Sequence, residues 1–180
     1  MLGGEKLKFV NEQDVLAHKE ALKSTLEDLY SKTNLKDVEE RKRTTNYYEW
    51  LNKKTKIIIN EKDYIYDEKA KNIKRGSVVW VEFGFNIGNE FGGRHPAIVL
   101  RKTGNSIFVL PLSSQKPEDI KPYHVKIEKV YNFKNIVRWA NVLKIQNVSL
   151  LRVDFSASIG NIKGEILDEI NKAIEKSHIF

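Results

Sequence analysis

The sequence contains no cysteine, which excludes disulfide bonds, a thiol nucleophile and a cysteine-ligated zinc site. It also contains no apolar run near the roughly 20 residues that a membrane span requires. Its start, MLGGEKLKFVNEQD, lacks the long apolar segment of a secretory signal. The four histidines show no HExxH or other close spacing, so no metal site is expected. We therefore expect a soluble, cytoplasmic protein without a cofactor and without a membrane partner.

Two further chemistries lack their usual motifs. The glycine-rich segment 88–93 (GNEFGG) is followed neither by Gly-Lys-Ser/Thr nor by a helical pattern, so it is neither a P-loop nor a dinucleotide fingerprint. Neither Ser113 nor Ser114 stands in a GxSxG elbow, although a Ser-His-Asp triad stays open on sequence alone.

Basic residues outnumber acidic residues, and nearly all of the excess lies in one part of the chain. The net charge is +7, and residues 74–180 hold 16 Lys+Arg against 10 Asp+Glu, whereas residues 1–73 hold 15 against 14. The basic excess predicts an anionic partner, either a nucleic acid or an acidic protein, for the second part. Many small basic proteins have no such partner, so the charge alone does not show whether this protein binds an anionic partner.

Proline and glycine are absent from residues 5–75, which predicts two helices and a charged connector over 61–74. Asn11 with Asp14, and Asn34 with Asp37, resemble N-cap pairs, and residues 31–34 read as the break. The first helix places Val15, Leu22, Leu26 and Leu29 on one face. The second is expected to extend to Ile59, and its aromatic cluster (Tyr47, Tyr48, Trp50) is interpreted as a packed face rather than a base-stacking platform.

The second part predicts a sheet and a closing helix. Five short runs rich in Val, Ile and aromatic residues read as strands, over 78–83, 97–101, 107–111, 123–127 and 136–142. Gly104-Asn105 is a hairpin signal, and isoleucines every four residues predict an amphipathic helix over 162–176. The fold class is α+β: a small, strongly bent antiparallel barrel with a C-terminal helix, preceded by a two-helix extension. The predicted domains are 1–73 and 74–180.

Polar residues capable of binding a phosphate lie at the predicted strand ends, and we list them as Glu90, Arg94, His95, Ser113, Ser114 and Gln115. Attack on a phosphodiester requires positive charge on the non-bridging oxygens, which an arginine supplies as a planar fork of donors. It also requires a base and an acid, and a histidine can serve either role. A serine hydroxyl can fix the phosphate by a hydrogen bond.

Four motifs in order resemble the MazF/PemK toxin family. Segment 88–100 (GNEFGGRHPAIVL) resembles its GSEQxGxRPxxVL signature, and segment 75–81 (RGSVVWV) its opening RGDIWxV strand. Segment 110–115 (LPLSSQ) is similar to its VPxTTQ strand end, and segment 137–142 (VRWANV) to the region of its DQ pair. The resemblance covers about 74–176 and leaves out 1–73.

The resemblance implies a compact SH3-like barrel that forms homodimers and cuts single-stranded RNA (mRNA) without a metal. The ribose 2′-hydroxyl attacks the neighbouring phosphorus and leaves a cyclic phosphate. It also implies an acidic antitoxin whose tail lies in the RNA groove. On this basis the expected catalytic residues are Arg94, His95 and Ser113. The expected substrate-binding residues are Glu90, Ser114, Gln115, Arg138 and Asn141.

The sequence departs from the family pattern at the proposed site. The family carries an arginine directly before the proline of the loop, whereas His95 holds that place here and Arg94 precedes it. Neighbouring residues of an extended strand point to opposite sides, so we expect one of the two to face the phosphate unless a turn presents both. Ala140 stands where the PemK branch has an aspartate, and Asn141 replaces the glutamine.

These departures leave a second hypothesis. It is a non-catalytic DNA- or RNA-binding regulator, or an inhibitor of a protein target like the CcdB toxins, on the same fold. The N-terminal helices could cover the barrel, extend a dimer interface or occupy the groove.

Overall fold

The computed structural model describes residues 10–178, and the chain divides into two compact units, Met1–Leu51 and Asn52–Phe180. The helices are α1 (Glu12–Lys32), α2 (Val38–Ile59), α3 (Lys69–Asn72) and α4 (Gly164–Lys176). The strands are β1 (Ser77–Gly84), β2 (Gly93–Thr103), β3 (Ser106–Ser113), β4 (His124–Ile127), β5 (Arg138–Asn141), β6 (Gln146–Ser149) and β7 (Gly160–Asn161). None of the helices in this described range is long and apolar enough to cross a membrane.

The first predicted N-cap is confirmed and the second is displaced. The Asn11 side chain accepts from the Asp14 amide, and the Asp14 carboxylate accepts from the Asn11 amide, each at 3.0 Å, which completes a capping box before α1. Before α2 it is the Asp37 carboxylate that accepts from two first-turn amides, at 2.9 Å. The Asn34 side chain instead accepts from the Lys36 amide in the preceding turn.

The two helices of the first unit contact each other, yet none of their residues is buried. The Tyr48 hydroxyl donates to the Leu26 carbonyl oxygen at 2.8 Å, which fits the interpretation of the aromatic cluster as a packed face. The other members of the predicted apolar stripe (Val15, Leu22, Leu29) remain exposed. The apolar side chains therefore share one face of α1 as predicted, but within the described residues no other part of the chain buries that face.

The second unit contains a curled antiparallel sheet, as predicted. The strand order is β4-β5-β3-β2-β1-β7, and β6 pairs with the first half of β3 while β5 pairs with its last residues. The hairpin at Gly104-Asn105 is confirmed, with Gly104 at φ +57°. Strands β6 and β7 were not predicted, because β7 has only two residues and no glycine or proline separates β6 from the strand before it.

Both faces of the sheet bury apolar side chains. The face that packs against α4, here called the α4 face, includes Val78, Ile98, Leu110 and Leu112 together with Ile170 of α4. The opposite face, here called the reverse face, includes Val79, Val81, Ala97, Val99 and Val109. The C-terminal helix begins at Gly164, two residues later than predicted, and the architecture is α+β.

Candidate active site

Strand alternation separates the two neighbouring residues at the centre of the prediction. In the β1–β2 pairing, Glu82 lies opposite Arg94 and Val81 lies opposite His95. Arg94 is therefore on the α4 face, and His95 is on the reverse face. The chain stays extended through this point, so no turn presents both side chains to one ligand.

The reverse face brings distant predicted residues into one cross-strand row. Ser113 of β3 pairs with Trp139 of β5, and Trp139 pairs with Lys126 of β4. The β2–β3 pairing aligns Ala97 with Pro111, so His95 and Ser113, each two residues further along its strand, are on this same face. His95 also forms a hydrogen bond with the backbone of Leu112, the residue that precedes Ser113.

A pocket lies over this part of the sheet, and we call it the Ser113 pocket. It is lined by Phe91, Pro111, Ser113, Gln115, Pro117, His124, Trp139, Ala140, Asn141 and Lys144. The Phe91 ring contacts the His95 ring edge-on, with centroids 4.7 Å apart, so His95 stands next to the pocket. Arg94, His95 and Arg138 are not among its lining residues.

Hydrogen bonds define what several pocket side chains can offer a ligand. The Ser113 hydroxyl oxygen accepts from the Gln115 amide at 3.0 Å, which leaves its proton able to donate to a ligand. His124 Nδ1 accepts from the Lys121 amide at 3.0 Å, so the neutral ring carries its proton on Nε2. Lys144 Nζ donates to the Asn89 carbonyl oxygen at 2.6 Å and brings a positive charge to the rim.

The environment of His95 favours the neutral imidazole. Partial burial lowers its pKa below 6.5, and a hydrogen bond to the Leu112 backbone offsets this only in part. A neutral imidazole near pH 7 can accept a proton, which is the requirement for a general base.

Arg94 is held in a different cluster on the α4 face. Its guanidinium donates to Asp154 Oδ2 at 2.6 Å, lies 3.6 Å from Glu82, and covers the Trp80 ring at 4.4 Å from the centroid. Hydrogen bonds from Ser156 and then from Arg94 lower the pKa of Asp154 to about 2. Lys53 also pairs with Glu82, at 2.5 Å. Arg94 is thus the centre of an ion-pair network rather than an open anion site.

Arg138 is likewise turned away from the pocket. It is 4% exposed, and its guanidinium donates to the carbonyl oxygens of Lys134 and Ile136 at 3.2 and 3.1 Å. It also lies over the Phe133 ring at 5.6 Å. Burial lowers its pKa, but an arginine with carbonyl partners stays protonated at neutral pH. This side chain supports the β4–β5 end of the sheet.

The remaining predicted binding residues fall into two groups. Gln115 and Asn141 line the Ser113 pocket, and the Asn141 side chain also accepts from the Leu143 amide at 2.9 Å. Glu90 instead accepts from the Ile87 amide of its own loop at 3.1 Å. Ser114 is exposed in the bend after β3.

Sequence reasoning missed His124 and Lys144. Alternation along β4 could have placed His124 and Lys126 on one face, opposite the buried Val125 and Ile127. No local signal could have placed Lys144 at the pocket, because it arrives through the turn after β5 and a contact with a loop 55 residues earlier in the chain.

Comparisons with known proteins match the same part of the chain. The family model described as PemK-like, MazF-like toxin of type II toxin–antitoxin system matches residues 74–178. No curated protein matches the sequence. The matched range includes every strand of the sheet and α4.

Three solved structures resemble the chain. MazF from Deinococcus radiodurans is 19% identical, with a TM-score of 0.45 over 59% of this chain and 97% of that one. The MazE–MazF complex from the same organism is 18% identical, with a TM-score of 0.44 over 60% and 97%. An endoribonuclease in complex with its cognate antitoxin from mycobacterial species is 14% identical, with a TM-score of 0.43 over 58% and 93%.

Proposed function

The chain belongs to the family of PemK-like, MazF-like toxins of type II toxin–antitoxin systems, and we propose that it is an endoribonuclease that cuts single-stranded RNA without a metal. The observation that supports the proposal is that His95 and Ser113 are on the same face of the sheet, with the His95 ring against Phe91 of the Ser113 pocket. These are the residues at the loop and strand-end motifs. The proposal includes a homodimer and an acidic antitoxin as partners.

In the proposed reaction, neutral His95 accepts the proton of the ribose 2′-hydroxyl. The 2′-oxygen then forms a bond to the adjacent phosphorus, and the bond to the 5′-oxygen breaks, which leaves a 2′,3′-cyclic phosphate. The 5′-oxygen departs with a proton from solvent. Positioning of the attacking oxygen and stabilisation of the charged transition state supply the rate enhancement.

Three other pocket side chains would bind the non-bridging oxygens. Ser113 donates its hydroxyl proton, and Lys144 supplies the positive charge that the family's arginine would otherwise provide. His124 donates from Nε2, because its Nδ1 accepts a hydrogen bond from the Lys121 amide.

The second candidate is a non-catalytic regulator or an inhibitor of a protein target on the same fold. Two observations favour it. Arg94 forms ion pairs with Asp154 and Glu82, and the buried Ala140 stands where the family's PemK branch has an aspartate. Both remove groups that the family pattern would supply to catalysis.

Incubation of the purified full chain with a mixed single-stranded RNA in EDTA tests the proposal. We expect discrete cuts that end in a cyclic phosphate, and no cut where the attacking 2′-hydroxyl is replaced by hydrogen. Ser113→Ala should slow the cleavage about 10²- to 10³-fold, as for the loss of one oxyanion donor. Growth arrest without RNA cleavage would favour the second candidate.

A further inference from the structure

Two further clefts follow the Ser113 pocket, and each shares at least one lining residue with the cleft before it. His124 lines both the Ser113 pocket and a cleft between β4 and α4, which also contains Lys126, Lys172 and Lys176. Lys126 and Glu169 in turn line a third cleft. Because each cleft shares a residue with the next, we treat them together as one surface, here called the β4–α4 path, and its distinguishing residues are Lys126, Lys129, Tyr131, Lys163, Lys172 and Lys176.

The β4–α4 path is positively charged. It contains five lysines against three glutamates, Glu128, Glu165 and Glu169. One lysine is neutralised locally, since Lys126 pairs with Glu128 at 2.9 Å. Lys172 and Lys176 are exposed and lie one turn apart on the same side of α4. Lysine side chains are flexible, so a row of ammonium groups can bind successive phosphates of a nucleic-acid backbone without an exact match in spacing.

An aromatic ring lies at the far end of the path between two of its lysines. Lys129 Nζ is 4.9 Å and Lys163 Nζ is 6.0 Å from the centroid of the Tyr131 ring. The ring is half-buried, so part of its surface remains accessible. Aromatic rings beside cations are the recurring feature of surfaces that bind single-stranded nucleic acid, where a base stacks and its phosphate is neutralised.

We propose that single-stranded RNA whose scissile phosphate occupies the Ser113 pocket continues along the β4–α4 path, with its backbone on Lys172 and Lys176 and a base on Tyr131. This inference rests on the proposed function and extends the substrate contact beyond the cut. RNA fits the path better than an acidic peptide, because a carboxylate side chain makes no use of a flat ring between two ammonium groups.

Binding of 2′-O-methyl RNA, which cannot be cut, tests the path in the full chain. Two oligonucleotides of about 4 and about 16 nucleotides span the pocket alone and the pocket with the path. For Lys172→Ala/Lys176→Ala we expect binding of the long oligonucleotide to weaken about tenfold at low salt. The slope of the logarithm of the binding constant against the logarithm of the salt concentration should decrease in magnitude by about 1.4, because two phosphate contacts are lost. Tyr131→Ala should weaken the same complex, and all variants should bind the short oligonucleotide like the parent.

Lys19→Ala/Lys23→Ala is the matched control, since it removes two exposed lysines one turn apart on α1 and should leave both complexes unchanged. Equal weakening by the control pair would overturn the path, as would long-RNA binding unchanged by the α4 pair. Lysine-dependent binding of an acidic peptide without lysine-dependent binding of RNA would also overturn it. Cleavage of the unmodified short RNA by the parent protein tests the nuclease proposal separately, because that substrate does not reach the path.

Discussion

Substitution of Arg94 and of His95, one at a time, separates the two faces of strand β2. Sequence motifs alone would make either residue a candidate for the phosphate. The structure places Arg94 in the ion-pair network of the α4 face and His95 on the reverse face, which also carries Ser113. We therefore expect His95→Ala to remove activity with little loss of stability, and Arg94→Ala to do the opposite.

The magnitudes follow from the contacts of each side chain. Arg94 loses a partly exposed, solvent-screened ion pair, worth about 0–1 kcal/mol, and a cation–π contact with Trp80, worth about 0.5–1 kcal/mol. A loss of about 0.5–2 kcal/mol corresponds to a fall of about 1–8 °C in melting temperature for a chain of this size. His95→Ala removes the proposed base, which is worth about 10²–10⁴ in rate.

The pH dependence of the Arg94 effect has a defined sign. The pKa of Asp154 is lowered from 3.8 to about 2 in the folded state. A lowered carboxyl pKa gives stability that is present above the unfolded value and is lost as the pH falls toward 2. Arg94→Ala removes one cause of the shift, so the difference in stability between parent and variant should be full at pH 6 and shrink below pH 3.8.

Thermal unfolding by circular dichroism and the initial rate of RNA cleavage measure the two effects in the same preparations. His95→Gln serves as a control for the contact with Phe91, because it keeps part of the side-chain volume without a titrating ring. The reasoning is refuted if folded Arg94→Ala loses cleavage a hundredfold while His95→Ala cuts at the parent rate.

Three further outcomes are expected. The acid limb of kcat/KM should lie below pH 6.5, since burial lowers the pKa of His95 and the neutral ring is the active form; a limb above pH 7 would contradict this. Gly160→Ala should destabilise the fold by about 1–3 kcal/mol in a denaturant titration, because its new Cβ would lie 2.7 Å from the Phe133 ring. As a control, the Cβ of Gly164→Ala meets no atom within 4 Å, so this variant should unfold at the same denaturant concentration as the parent. The truncated chain 52–180 should fold and cut RNA, since all residues of the Ser113 pocket belong to that unit; a collapse of its thermal transition, or a rise in rate above the full chain, would assign the N-terminal unit a role in folding or in inhibition.

Local patterns in the sequence were sufficient for the three long helices, for five of the seven strands and for the family. Asn11 and Asp14 form the predicted capping box because a cap depends on residues three positions apart. The strands around Val78, Ala97 and Ile107 follow from alternation and β-branched side chains, and the motifs between 75 and 142 carry the family likeness. All of this information is contained in short segments of chain.

Tertiary structure decided which of the predicted residues meet. Arg94 and His95 are adjacent in the sequence, and both could bind a phosphate. Because side chains alternate along a strand, the two lie on opposite faces of the sheet. Only the pairing of β1 with β2 defines which face each one occupies. Ser113, His124 and Lys144 converge through the registers of β3, β4 and β5 and through one loop contact. Register depends on the packing of the whole sheet, because a slip of one residue would exchange the faces of every side chain in a strand.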